Sequence, residues 1–320
     1  MPDRTVSSNE LENIVNKNGK LLPYGSIERL FGVKERRYAD PQIQVSDLSA
    51  NAAKGMVEKH GANSIECMIF ASASSDLIEP ATANIIQEKL GLNCPAFDVK
   101  NACNSFVTAL QIASSFIDSG IYKKILITSG EKLSNSIRFH PVDEEDLKKG
   151  LASLSFGDAG SAVMVEQSAN GCGLYFQKFK TVGKYWELCT IKGGGSMFPF
   201  NPDKNYFEGK TSELANVIIA EGSNFVQSCL LEAGWSLSDI DHVVTHQVSV
   251  KSFEALAVTS GLPINKIIQV CDLYGNIASV SIPLSLHIAE KKGILKHGDK
   301  IAIVGLAAGI SLSIQLMVWK

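Results

Sequence analysis

Short apolar runs alternate along this chain with longer stretches in which apolar residues recur every three or four positions. Cys67–Ala71 (CMIFA), 124–128 (KILIT) and 161–165 (SAVMV) are apolar on both faces, which predicts strands buried on both sides of a sheet. Between them, Val45–His60, Thr82–Leu90 and 104–119 have the helical spacing. The second half repeats the plan, with strands predicted at His242–Thr245 (HVVT) and 300–305 (KIAIVG) and helices at 214–233, Val250–Ser260 and 282–292. Such alternation predicts an α/β protein with mainly buried sheets.

Two glycine turns followed by strands suggest an internal duplication. Phe156-Gly157-Asp158-Ala159-Gly160 leads into an apolar run, and Leu306-Ala307-Ala308-Gly309-Ile310 leads into another. The expected division is therefore into a half over 1–166 and a half over 167–320, each ending in a hairpin-like return strand. The polar segment 143–150 (DEEDLKKG) predicts a solvated surface loop. The run 192–196 (KGGGS) lacks the strand–loop–helix context of a phosphate loop and predicts a surface turn.

Composition narrows the function classes. The 320 residues are 45% hydrophobic and 20% charged with a net charge of −3, so nothing draws the whole chain to nucleic acid or an anionic membrane. No uninterrupted apolar run reaches the ~18 residues of a membrane span, and the start, Met1-Pro2-Asp3-Arg4, has no apolar leader. The seven cysteines are odd in number and none are in C-x-x-C spacing. A disulfide framework or a metal site is therefore not expected, and a reducing cytoplasm is.

The chemistry-bearing segment is Ala96-Phe97-Asp98-Val99-Lys100-Asn101-Ala102-Cys103-Asn104-Ser105-Phe106. An extended lead-in meets a helix there, and Cys103 falls at the junction. Unpaired N–H groups and the positive end of a helix dipole at such a junction favour a thiolate. They also leave the Cys103 N–H free to face an oxyanion. Position alone leaves the choice between a nucleophile and an inert buried thiol open. His246 directly follows a predicted strand, at the sheet edge where α/β sites gather. Asn276 lies in the glycine turn Tyr274-Gly275-Asn276 before a helix starting near Ser281. Taken singly, these two also read as a structural histidine and a turn asparagine.

Together, in order and context, Cys103, His246 and Asn276 resemble the Cys–His–Asn set of the β-ketoacyl synthase III family of the thiolase superfamily. The resemblance extends through Lys34-Glu35-Arg36-Arg37, Phe156-Gly157-Asp158, His246-Gln247, Gly275-Asn276 and the loop at 307–309. It implies the thiolase fold, five αβαβα layers built from two halves. It also implies an acyl group carried on Cys103, an oxyanion hole from the N–H groups of Cys103 and Ala308, and His246 and Asn276 as donors to a malonyl thioester losing CO2. No cofactor is implied, since acyl-CoA or acyl carrier protein would be substrates. A homodimer is expected, and a heterodimer is an alternative.

Four departures from the family pattern bear on this expectation. The strand that usually precedes a Leu-Pro segment would end where this sequence starts, at Met1-Pro2: either the start is mis-assigned or truncated, or the first sheet lacks that strand, which raises the alternative of a structural partner subunit in a heteromeric synthase. Alanines stand at 307 and 308 where glycines are usual. Ser26 aligns with the family's adenine-stacking tryptophan, favouring an acyl-carrier donor, for which Lys251 is the docking candidate. Glu79 lies in the loop expected to cross into the partner's acyl pocket. There it could serve as the base of a non-decarboxylative condensation, or simply as an acidic residue near a helix N-terminus.

Overall fold

The computed structural model describes residues 1–19, 21–168 and 171–320. In chain order it opens with β1 (Arg4–Ser7), α1 (Ser8–Val15), α2 (Ser26–Phe31) and β2 (Glu35–Tyr38). The first half continues with α3 (Val45–His60), β3 (Cys67–Ala71), α4 (Thr82–Leu90), β4 (Ala96–Val99), α5 (Ser105–Asp118), β5 (Lys124–Lys132), α6 (Glu144–Gly150) and β6 (Asp158–Glu166). Then come β7 (Gly173–Thr181), β8 (Cys189–Ile191), β9 (Phe207–Gly209), α7 (Thr211–Glu232) and β10 (His242–Thr245). The chain finishes with α8 (Val250–Ser260), α9 (Cys271–Tyr274), α10 (Ser281–Lys291), β11 (Lys300–Ala307) and β12 (Ser311–Val318).

Two four-stranded sheets carry the fold, in the orders β4-β3-β5-β6 and β10-β11-β12-β7. Each contains a parallel pair followed by an antiparallel return: β3 with β5 and β5 with β6 in one, β10 with β11 and β11 with β12 in the other. The expected return strands are therefore present in both halves. The sheets differ at their margins. β7 covers the outer side of β12, whereas β6 is the edge of its sheet. β1 pairs antiparallel with β2 in a separate ribbon rather than extending the first sheet.

Apolar burial sets five layers, in the order helices, sheet, helices, sheet, helices. Phe106, Val107, Leu110 and Ala113 of α5 and Ile282 and Ala289 of α10 fill the space between the sheets. They pack on Ile69, Ile125 and Ile127 from one side and Val244, Ile301 and Ile303 from the other. Val45, Ala50 and Ala53 of α3 and Ala83 and Ile86 of α4 cover the outer face of the first sheet. Phe225, Val226 and Leu230 of α7 with Leu256 and Ala257 of α8 cover the second. Over Ser212–Glu232, α7 is long and apolar enough to cross a membrane by length and composition, although no unbroken apolar run marks it. Here its apolar face packs on β12 and on Trp235.

Two expectations need correction. The segment expected as a loop at 143–150 is helix α6, started by Asp143, whose side chain accepts from the Asp146 N–H at 2.8 Å. Its charges surround it, so no apolar stripe announced a helix. The return strands also run longer than the apolar runs, because β5 and β6 continue to Lys132 and back from Asp158.

The Phe156-Gly157-Asp158 turn packs onto the chain before Asn276. Asn276 N–H donates to Ser155 O at 2.7 Å and Gly157 N–H to Asn276 O at 2.9 Å, forming a parallel bridge between Phe156 and Asn276. A Cβ on Gly157 would lie 2.3 Å from Tyr274 O, and one on Gly275 would lie 2.3 Å from Ser155 O. Gly157→Ala should therefore cost about 1–3 kcal/mol through forced backbone movement. Urea denaturation should show this as a lower midpoint with an unchanged slope.

Candidate active site

Three loops at the meeting of the halves hold the functional side chains. The first is the turn between β4 and α5. Asp98 of β4 accepts from the N–H groups of Thr82 and Ala83 at 2.9 and 2.8 Å, which fixes the start of α4 against the strand. Ala102 then takes φ +47°, a left-handed conformation rare outside glycine, and delivers Cys103 just before α5. Asn101 and Asn104 donate to Ser311 at the start of β12, with Asn104 Nδ2 reaching Ser311 O at 2.9 Å. The Cys103 turn is thereby tied to the Ala307–Ile310 turn of the other half.

That second turn carries Ala308. Its strain falls on Gly309 (φ +74°) and Ile310 (φ +47°), not on the two alanines that replace the usual glycines. Among the described residues, no turn or ladder hydrogen bond uses the N–H of Cys103 or of Ala308. Both are available as oxyanion donors.

The third loop runs from Asn276 to Ser279 and is reached through His246. His246 directly follows β10, its N–H donating to Val304 O at 3.2 Å. Beside it, the Gln247 amide donates to Ile268 O at 2.7 Å and accepts from the N–H groups of Val270 and Cys271. This clip sets the path toward Asn276. There Asn276 Oδ1 accepts from Ala278 N–H at 3.0 Å and Ala278 takes φ +40°. Because Oδ1 is committed to that N–H, the carboxamide presents its NH2 face as the free donor.

Ala278 is the hub of the site. It packs in one apolar cluster with Phe156 and Cys103. Its backbone also lies against the His246 imidazole, without the alignment of a hydrogen bond. His246 is 3% exposed and both ring nitrogens lack partners, an arrangement expected of groups kept for a ligand. Burial pushes its pKa down to about 4, so the imidazole is neutral at ordinary pH, with one donor and one acceptor nitrogen.

Cys103 departs from the dipole-stabilised thiolate expected at a helix start. Burial, with the Glu131 carboxylate adding to it, pushes the thiol well above its ordinary value, so the resting group is S–H. Desolvation outweighs the helix terminus because the half-buried Cys103 precedes α5 and packs against the cluster of Phe156 and Ala278.

Glu131 was not singled out in the sequence. It is fully buried near the end of β5 and accepts from Ala73 N–H, Ser74 N–H and Oγ, and Ser279 Oγ. A carboxylate in an otherwise inward-facing strand was the available signal. Arg36, at the centre of Lys34–Arg37, is also buried and donates to Ser8 Oγ and Leu154 O at 3.0 Å each, bracing the segment before Phe156.

The remaining candidates lie elsewhere. Glu79 is exposed in a loop with Leu77 and with Ile78, which is 83% exposed, so this chain alone does not bring it beside Cys103. Lys251 is exposed in the first turn of α8. Ser26 is buried and accepts from Arg29 Nη2 at 3.0 Å. A pocket of about 720 Å³ opens beside Ala308 and Gly309, lined also by Trp186, Cys189, Met197 and Phe198.

Known proteins bear on this arrangement. The sequence patterns described as 3-oxoacyl-(acyl-carrier-protein) synthase III match residues 97–183, and those of its C-terminal part match 230–319. The β-ketoacyl-(acyl-carrier-protein) synthase III of Desulfitobacterium hafniense strain Y51 is 30% identical, over 100% of this chain and 95% of that one. The chain belongs to the β-ketoacyl synthase III family. The synthase III structure from Aquifex aeolicus VF5 superposes with a TM-score of 0.87 at 27% identity, covering 100% of this chain and 97% of that chain. A variant of Xanthomonas campestris OleA reaches 0.89 at 25% identity, covering 99% and 95%. The protein is therefore a condensing acyltransferase of the synthase III type.

The His246 shift has a defined consequence for stability. The unfolded chain takes a proton on this ring near pH 6.5 and the folded chain only near pH 4. Stability from this group is full above pH 6.5 and is lost as pH falls toward 4, by up to about 1.4 kcal/mol per unit. His246→Gln should flatten the fall in unfolding free energy between pH 6.5 and 4.5 relative to the wild type, measured by urea denaturation at each pH.

Proposed function

We propose that Cys103 takes an acyl group from a thioester and passes it to the carbanion formed when a malonyl thioester loses CO2. In the first step the sulfur attacks the acyl carbonyl, the donor thiol departs with the thiol proton, and the oxyanion is held by the N–H groups of Cys103 and Ala308. In the second, the C–C bond to CO2 breaks while Asn276 and neutral His246 donate to the thioester oxygen of the resulting enolate. The enolate carbon then forms a bond to the acyl carbon as the bond to Cys103 breaks. The observation that carries this reading is the Asn276 amide, oriented donor-outward by Ala278, beside an imidazole with no partner. Neutral donors suit an enolate oxygen because they stabilise the charge that develops on it.

The buried serine at Ser26 offers no platform for an adenine, which favours acyl carrier protein over coenzyme A as the donor. Lys251 is the proposed cation for an acidic carrier, and a cytoplasmic homodimer of two-half subunits is the proposed form. No cofactor is required by these steps. A second reading, condensation without decarboxylation, draws on the likeness to OleA and on Glu79, whose loop exposes Leu77 and Ile78 as a segment inserted into a partner would.

Intact-mass measurement after incubation with acyl carrier protein or acyl-CoA donors should show one acyl adduct, absent in Cys103→Ala. Asn276→Ala should keep the adduct but lower condensation about 10²-fold, the usual loss for one oxyanion donor. Glu79→Ala should leave condensation with malonyl carrier within about twofold; its collapse would favour the second reading.

A further inference from the structure

We propose that Glu131 is the positioning residue for the second half-reaction, holding the Asn276 donor in place from beneath; this rests on the condensation reading above. Its carboxylate is fully buried and joins two separate loops. Oε1 accepts from Ala73 N–H at 2.9 Å and from Ser279 Oγ at 2.5 Å, while Oε2 accepts from Ser74 Oγ at 2.7 Å and Ser74 N–H at 3.2 Å. The first loop follows β3, and the second is Asn276–Ser279.

The second loop needs such an anchor. Ala278 sits at φ +40°, a conformation that costs a non-glycine residue of order 1–3 kcal/mol and persists only when neighbouring contacts over-determine it. Upstream, Asn276 is pinned through its own N–H and C=O to Ser155 and Gly157. Downstream, the side chain of Ser279 is pinned to Glu131. Ala278, whose N–H orients the Asn276 amide, lies between the two pins. Releasing the downstream pin lets Ala278 relax toward ordinary backbone and frees Asn276 Oδ1, so the donor face turns away. The tie acts on Asn276 and leaves the Cys103 and Ala308 N–H groups in place, while toward Cys103 the carboxylate acts only through its charge, which disfavours the thiolate.

Glu131→Gln keeps the shape but places an NH2 against groups that are themselves donors. The variant should acylate Cys103 to the wild-type extent and no more slowly than wild type by intact mass, because losing the charge also relieves its push on the thiol. Its kcat for condensation with malonyl carrier should fall 30- to 100-fold, with KM for the acyl donor unchanged. Ser279→Ala should move the same way by 5- to 10-fold, and Ser279→Thr, which keeps the hydroxyl, should recover at least half of the activity. Equal loss of acylation and condensation, or condensation within twofold of wild type, would overturn the proposal. Hydrogen exchange supplies a readout independent of activity. Glu131→Gln should speed amide exchange at Ala278 and Ser279 at least tenfold without altering β3. Unchanged exchange overturns the tie, whereas a wild-type protein that takes no acyl group overturns the condensation reading instead.

Discussion

The site depends on one close approach of two backbones. At Phe156 and Asn276 the chains of the two halves touch through paired N–H···O contacts, and neither Gly157 nor Gly275 has a Cβ to hold them apart. Buried backbone groups must find partners, and here the partners lie 120 residues apart in sequence. Arg36 braces the first segment, Gln247 guides the second, and Glu131 anchors the end of the catalytic loop. Asn104 with Ser311 makes the corresponding tie between the Cys103 turn and the Ala307–Ile310 turn. Neither half alone contains a complete site.

Backbone strain and the unpartnered His246 ring fall at the same place. The three non-glycine residues with positive φ among the described residues are Ala102, Ala278 and Ile310, one in each of the three loops of the candidate site. The two nitrogens of His246 and the N–H groups of Cys103 and Ala308 are held without internal partners. A site arranged to receive developing negative charge has this composition: donors fixed in advance, in surroundings that exclude water. The same exclusion keeps His246 neutral and Cys103 protonated at rest. The proposed condensation thus starts from a neutral imidazole and a protonated thiol.

What was legible in the chain was local. Apolar periodicity marked the central strands and most of the core helices, and Cys103 stood out because an extended run meets a helix there. α6 was missed because its charges encircle it, and the strands β7 to β9 because they are short or only half-buried. Glu131 escaped notice because a carboxylate near a strand end reads as solvated until the strand is seen to be buried on both sides. Alanines stand at 307 and 308 where glycines are usual, yet the left-handed positions fall to Gly309 and Ile310.

The sequence by itself determined the order of elements, the two-half plan, and the three residue types at three element ends. Those follow from side-chain spacing and turn chemistry, which act over a few residues. Only the tertiary structure decided the protonation of Cys103 and His246, the outward donor face of Asn276, and the work of Glu131. Desolvation and long-range backbone contacts sum over atoms from distant segments, and no local pattern records that sum.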